Sequence, residues 1–286
     1  LEGSKSFMKN LCKKNNIPTA NFGIFGDLAA ASSFIEKSEL PIVVKADGLA
    51  AGKGVTVCNS KLEALKNTNE ILNGKFKSSN SVVLEEFIKG EEFSYFVIVD
   101  KNSYKFFGTA QDHKRVGAND TGPNTGGMGA FSPAVLFNSI LEKKINHKII
   151  EPTINAMKKL GHPYQGFLYA GLMIKDDEPY LIEYNIRMGD PECQVIMMSL
   201  ETDLVKIFDY ATQSKIDSLK IKLSKKKSIT FVLCSNGYPF SHVQDKEIKN
   251  LSNLKLSKDI QIFHAATYEK NNKIYSNGGR VLNVTS

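Results

Sequence analysis

Lys45-Ala46-Asp47-Gly48-Leu49-Ala50-Ala51-Gly52-Lys53-Gly54 follows the run Pro41-Ile42-Val43-Val44 and leads into Val55-Thr56-Val57-Cys58. The β-branched run is short and bounded by Pro and Gly, so 41–46 reads as a buried strand and 55–58 as its return. A lysine at the end of such a strand, followed by a loop of small residues, sets an ammonium and free backbone N–H groups where an anion fits. The loop is not a Walker motif, which needs four residues between its glycines and then Gly-Lys-Ser/Thr; here three residues separate Gly48 from Gly52, and Gly54 follows Lys53. The dinucleotide pattern Gly-x-Gly-x-x-Gly fails as well. Taken alone, the same residues also suit an ordinary glycine turn between two strands.

Working outward, apolar residues at helical spacing predict helices over 7–14, 28–37 and 61–72. Residues 81–87 read as a strand, and 93–99 with 104–110 as a hairpin. From 116 to 133 the chain is rich in Gly, Asn, Thr and Pro without helical or strand period, and a loop of that length in a compact domain is usually functional. A helix over 138–160 follows, then a hairpin of 167–174 and 179–187, then a helix over 192–214. The polar, basic stretch 215–227 reads as a linker, and strands are expected over 229–235, 260–267 and 280–284.

Composition narrows the class. The 286 residues carry 37 Lys+Arg against 30 Asp+Glu, a formal charge of +7, with 42% hydrophobic and 23% charged residues. That balance supports a packed globular protein rather than a disordered one. The apolar runs fall far short of the ~18–20 residues a membrane helix needs. Cys12, Cys58, Cys193 and Cys234 are widely spaced, which indicates neither a zinc ribbon nor a disulfide framework. Arg115, Arg187 and Arg280 are the only arginines, and the lysines are dispersed except for 225–227. Arginine forks with interleaved aromatics, which favour nucleic acid, are missing, so the basic charge reads as solvated surface.

Three further constellations carry chemistry. In Glu183-Tyr184-Asn185-Ile186-Arg187 the alternate residues share a strand face, so Glu183, Asn185 and Arg187 point together while Tyr184 and Ile186 turn into packing. A carboxylate beside an amide oxygen suits Mg²⁺, which takes few protein ligands and completes its shell with phosphate and water, and Arg187 adds a fork for a phosphoryl oxygen. An exposed polar strand face with a surface ion pair is the plain alternative. The strand ending in Glu85-Glu86-Phe87-Ile88 and continuing to Glu91-Glu92 offers backbone groups to a purine edge and a carboxylate to ribose, or is simply a solvated acidic turn. Gln111-Asp112-His113-Lys114-Arg115 leads into Asp120-Thr121-Gly122-Pro123-Asn124-Thr125-Gly126-Gly127-Met128-Gly129, a glycine loop suited to closing over a substrate. Gly189-Asp190-Pro191-Glu192 reads as a turn into a helix with an acidic first turn.

Together and in this order, KADGLAAGKG, QDHKR, TGPNTGGMG, GFLYAGLM (166–173), NxRxGDPE and the NGGRVL of 277–282 resemble the ATP-grasp ligases, and within them the phosphoribosylamine–glycine ligase family, over essentially the whole chain. The resemblance implies an α+β fold, two α+β lobes clamping ATP, followed by a small β-rich C-terminal domain. It divides the chain into a small lobe with an entry helix (1–88), a large lobe with the metal site (89–214), a linker (215–228) and an incomplete C-terminal domain (229–286). It implies that Lys5, Lys45 and Lys53 meet the ATP phosphates, with Gly52 and Gly54 in the covering loop. Glu85, Glu86, Phe87 and Ile88 would meet adenine, and Glu92 the ribose. Glu183 and Asn185 would hold Mg²⁺ or Mn²⁺, while Arg187, Asp112, Lys114 and Arg115 orient the reacting groups. The implied reaction joins glycine to 5-phosphoribosylamine through glycyl phosphate, in a cytoplasmic monomer with no nucleic-acid or membrane partner. Two departures accompany it: the chain starts where the family's N-terminal domain ends and stops before its last helix, and 167–174 holds no second acidic metal ligand. A nucleotide-binding unit without turnover, or a ligase for another carboxylate, are the alternatives.

Overall fold

The computed structural model describes residues 1–50, 54–119 and 121–286, residue 252 by its backbone alone. Helix α1 (Lys5–Lys14) starts at Ser4, whose hydroxyl accepts the Phe7 amide at 3.1 Å, and ends in Lys13 and Lys14, which suit the negative end of the helix. Next come β1 (Phe22–Phe25), α2 (Leu28–Lys37), β2 (Ile42–Ala46), β3 (Val55–Cys58), α3 (Lys61–Glu70) and β4 (Val82–Glu86). The four strands form an antiparallel sheet in the order β1-β4-β2-β3. Ile42, Val44, Ala46, Val82 and Leu84 pack with Ala31 and Ile35 of α2 and Ala64 of α3. By strand alternation Val43, Lys45, Val83 and Glu85 face the other way, and they too are buried. Cover on both faces is why this run lacks polar alternation.

The hairpin of β5 (Glu91–Asp100) and β6 (Tyr104–Asp112) founds the second sheet. The glycine-rich stretch holds three short strands: β7 (Arg115–Gly117) and β8 (Thr121–Asn124), which pair with each other, and β9 (Gly129–Ser132), which returns beside β6. Helix α4 (Ser139–Ile145) passes through one wide turn, Asn146–Ile150, into α5 (Glu151–Lys159). The hairpin of β10 (Gln165–Lys175) and β11 (Glu178–Asn185) precedes α6 (Glu192–Ser199) and α7 (Leu204–Thr212). Six strands complete the chain: β12 (Ser228–Cys234), β13 (Glu247–Ile248), β14 (Gln261–His264), β15 (Thr267–Lys270), β16 (Lys273–Ser276) and β17 (Arg280–Thr285). The large sheet runs β11-β10-β5-β6-β9-β12-β17-β14, and β13-β16-β15 form a small one.

Strand β5 shows why the large sheet needs helices on both sides. Phe93, Tyr95, Val97 and Val99 join a core with Met8, Leu11 and Cys12 of α1 and Ile145, Ile149 and Ile154. Phe96 and Ile98 join the opposite core with Phe107, Tyr169, Val195, Ile196 and Ile207. Tyr95, Phe96 and Phe107 have no exposed surface, and truncating such a ring costs about 3–5 kcal/mol.

Several sequence expectations shift; the strand expected over 260–267, for one, ends as β14 at His264, and β15 from Thr267 belongs to the small sheet, while Ile186, expected in packing, is exposed. The aperiodic stretch forms strands because neighbouring backbones supply the pairing: Thr125 N–H donates to Lys114 O and Met128 N–H to His113 O, both at 2.7 Å. The helix expected over 192–214 breaks at 200–203, where Asp203 caps α7 by accepting the Lys206 amide at 2.9 Å. Strand β11 ends at Asn185, which leaves Arg187 just beyond it. Within 215–227, polar by composition, Ile216 is wholly buried against the α7 side of the core. No helix among the described residues is long and apolar enough to cross a membrane.

Candidate functional site

Lys45 and Glu85 lie diagonally across β2 and β4 on the face turned away from α2 and α3. Glu85 Oε1 meets Lys45 Nζ at 2.9 Å, and its Oε2 meets Lys9 Nζ at 2.9 Å, with all three side chains at most 5% exposed. The loop after Lys45 is fixed by Asp47, whose carboxylate accepts from Ser6 N at 2.6 Å, Ser6 Oγ at 2.8 Å and Ser4 Oγ and Ser81 Oγ at 3.1 Å. Burial alone would raise the Asp47 pKa, but these hydrogen bonds prevail and hold it below the usual value of 3.8. The same cluster places the start of α1, where Lys5 Nζ donates to Gly48 O at 3.3 Å. Burial lowers the Lys5 pKa, and the nearby Glu183 carboxylate opposes that shift. Gly54 closes the loop, its carbonyl accepting from Ala46 N at 2.8 Å; a Cβ on it would stand 2.5 Å from the Ala50 methyl.

Facing these groups is the end of β11. Glu183 pairs with Gly171 and Asn185 with Tyr169 on β10, so the neighbouring strand offers no further acid there. Tyr184 points into the core, its hydroxyl 2.5 Å from Thr153 Oγ1. Arg187 Nη2 stands 3.2 Å from Glu2 Oε1 and 3.3 Å from Asn185 Oδ1, which returns the guanidinium to the face of Glu183 and Asn185 although the strand has ended. Lys5, Ala50 and Gly54 on one side and Glu183, Asn185 and Arg187 on the other line a single cavity of about 170 Å³. Among the described residues no group of three or more His, Cys, Asp or Glu could hold a metal by itself. One carboxylate and one amide oxygen therefore fit a hard cation that arrives with phosphate and water oxygens.

On the same face of the large sheet lies a half-buried acidic group around Lys114. Lys114 Nζ is paired with Glu92 and stands 3.7 Å from Asp112 Oδ1. Burial opposes the Lys114 charge, but Glu92 and Asp112 outweigh it and raise the pKa. Burial raises Asp112 against the pull of Lys114. Glu192, 4% exposed, accepts from Tyr169 OH at 3.1 Å and Ser94 Oγ at 3.4 Å; burial, and then Asp112, push its pKa up to about 7.

The glycine loop is clasped from the C-terminal strands. Arg280 Nη1 donates to Gly126 O at 2.7 Å and Asp190 O at 2.5 Å, and its Nη2 meets Asp190 Oδ2 at 3.1 Å. Tyr238 OH accepts from Gly126 N at 3.1 Å. Gly127, at φ +115°, lies so close to the Asp190-Pro191 turn that a Cβ would stand 2.5 Å from Pro191 Cδ.

Residues 3–193 match the family model "Phosphoribosylglycinamide synthetase, ATP-grasp (A) domain", and residues 228–286 match "Phosphoribosylglycinamide synthetase, C domain". The chain belongs to the phosphoribosylglycinamide synthetase family. It is 47% identical, over its whole length, to the phosphoribosylamine–glycine ligases of Mesorhizobium japonicum and Arabidopsis thaliana (chloroplastic), spanning 67% and 55% of those proteins. The solved phosphoribosylamine–glycine ligase of Thermotoga maritima superposes with a TM-score of 0.87 at 36% identity, covering 100% of this chain and 71% of that one. The biotin carboxylase domain of Hydrogenobacter thermophilus 2-oxoglutarate carboxylase, solved with MgADP and bicarbonate, shares the fold at a TM-score of 0.73 and 19% identity, over 100% of this chain and 62% of that one. The expected α+β ATP-grasp architecture with a β-rich C-terminal part is therefore the fold of this phosphoribosylglycinamide synthetase family member.

Of the residues singled out from sequence, Lys5, Gly54, Glu183, Asn185 and Arg187 share the cavity, while Asp112, Lys114 and Glu92 form the adjacent group. Gly52 and Lys53 lie outside the described residues. Glu86 turns away to accept from Asn21 N at 2.9 Å and Nδ2 at 3.0 Å, leaving Phe87 exposed beside Ile88. Arg115 donates to Gly122 O at 2.9 Å within the β7–β8 ribbon and lines a separate cavity with His113 and Phe231. Lys9, Glu192 and Arg280 were not among those residues. The signal for Glu192 and Arg280 was present in the GDPE and NGGR motifs, whereas Lys9 sits in a helix whose lysines read as solvated.

Proposed function

We propose that this chain catalyses the ATP-dependent ligation of glycine to 5-phosphoribosylamine, forming glycinamide ribonucleotide, ADP and phosphate. Supporting this is the meeting of Lys5 and Gly54 with Glu183, Asn185 and Arg187 around one cavity, in a chain of this family. In this reading a glycine carboxylate oxygen attacks the γ-phosphorus, ADP departs, and glycyl phosphate forms. The amine nitrogen then attacks the glycyl carbonyl, loses a proton, and expels phosphate. Phosphoryl transfer of this kind relies on positioning and charge neutralisation, which lysines and arginine supply, more than on a protein nucleophile. Lys5 and Lys45 neutralise the phosphates, and Arg187 steadies the transferred group. The segment Glu86 to Ile88, exposed at Glu86 and Phe87, meets adenine. Glu92, oriented by Lys114, reaches the ribose, and Asp112 and Arg115 orient the amine. Glu183 and Asn185 hold Mg²⁺ or Mn²⁺, which when bound offsets charge on the phosphate oxygens.

The test is ADP release with glycine and phosphoribosylamine, set against bicarbonate or formate as the acid. Glycine-dependent release is expected, with Glu183→Ala slowing it by at least about a hundredfold while the far-UV spectrum stays unchanged. Release driven by bicarbonate or formate instead, ATP binding with no release, or a Glu183→Ala rate equal to wild type would each reject the reading.

A further inference from the structure

Lys9 is a lysine with no exposed surface. Its ammonium uses its donors inside the protein, on Glu85 Oε2 at 2.9 Å, Thr19 Oγ1 at 2.7 Å and Ala20 O at 3.4 Å, and it stands 5.4 Å from the centre of the Phe22 ring. It therefore cannot touch a ligand in the cavity. Burying such a group is costly, and an apolar side chain in its place would commonly serve stability as well or better. What Lys9 does supply is a second cation for Glu85. The row Lys9–Glu85–Lys45 sums to one positive charge, whereas Glu85 with Lys45 alone would sum to none. Lys45 stands at the start of the loop that carries Leu49, Ala50 and Gly54 to the cavity wall, and Lys5 on that wall donates to Gly48 O of the same loop at 3.3 Å, so the row lies beside the site.

We infer that Lys9 is a positioning residue for nucleotide binding: by engaging one oxygen of Glu85 it keeps the Lys45 charge available to the ATP phosphates. This rests on the reading above that Lys45 meets those phosphates. Without Lys9, the Glu85 carboxylate, already 2.9 Å from Lys45, cancels the Lys45 charge in a pair of no net charge. Removing the Glu85 charge as well restores the net positive charge and releases Lys45.

Isothermal titration of ATP–Mg²⁺ and, separately, of adenosine into wild type, K9M, E85Q and K9M/E85Q tests this. K9M is expected to lose about tenfold in ATP affinity, the size of one unit charge removed from a partly solvated site, with adenosine affinity unchanged. The double variant is expected to recover its ratio of ATP to adenosine affinity to within about threefold of wild type. A purely structural role predicts parallel losses for ATP and adenosine and no recovery, and that pattern overturns the inference, as does K9M binding ATP like wild type. Should K9M not fold, E85Q decides through the ratio of its ATP affinity to its adenosine affinity, in which any loss of contact to the base cancels: the ratio is expected to be at least that of wild type, and a tenfold fall overturns the inference. Wild type that takes up no ATP overturns the proposed function and this inference with it; normal uptake by wild type and K9M alike overturns only the inference.

Discussion

Replacing Glu192 by Gln is expected to stabilise the protein above neutral pH and to change little in mild acid. The amide keeps an oxygen for Tyr169 OH, now 3.1 Å from the carboxylate, while removing a charge that is 4% exposed. Burial, reinforced by Asp112, pushes the Glu192 pKa from 4.5 up to about 7. The folded protein therefore holds this proton more tightly than the unfolded chain does. Stability from that preference is complete below about 4.5, is lost as the pH climbs to about 7, and stays absent above it. At about 1.4 kcal/mol per pH unit the loss has a ceiling of about 3.5 kcal/mol. Asp112 is raised by burial as well and shares in the titration, so a gap of about 1–3 kcal/mol between variant and wild type is expected at pH 8. Urea unfolding of both proteins at intervals from pH 5 to 8.5 measures it. A gap that is constant with pH, or one that widens towards acid, would show that Glu192 is not held in its neutral form by this environment.

Arg280→Ala removes three contacts that tie the glycine loop to the Asp190 turn and should cost about 2–4 kcal/mol. Hydrogen exchange should accelerate at the Gly126 and Gly127 amides and stay slow in β5; unchanged exchange at the loop would contradict the clasp. Asp47→Asn should cost about 1–3 kcal/mol at neutral pH, since the carboxylate accepts four hydrogen bonds from Ser4, Ser6 and Ser81. Because its folded pKa lies below 3.8, the Asp47 contribution is complete above that value and is lost as the pH falls through the folded pKa. The variant's acid-unfolding limb should therefore be shallower than that of wild type by circular dichroism, and parallel limbs would refute this.

Strands β2 to β6, β10 to β12 and β17 were legible because their β-branched and aromatic runs are short, dense and punctuated, as in Ile42 to Ala46 and Phe93 to Val99. Glu183 and Asn185 were legible from period two alone. Arg187 returned to their face for a different reason, namely its contacts to Glu2 and Asn185 beyond the strand end. Strands β7, β8 and β9 were not legible, since their pairing is carried by backbone groups that any residue supplies. Nor was Lys9: it lies between Lys5 and Lys13 at four-residue spacing and, like the dispersed lysines generally, reads as solvated surface. Only the arrival of Glu85 from β4 distinguishes the middle one. Charge partners distant in sequence leave no local periodicity to find.

Strand β12 sits between β9 and β17 and makes the last part of the chain continuous with the sheet that carries Glu183 and Asn185. The two ends of that ladder are thus mechanically linked. A cut ahead of Ser228 would strip β9 of one hydrogen-bonded flank, expose a sticky sheet margin, and remove the guanidinium that pins the glycine loop. Severing what looks like an appendage would therefore unfasten the centre.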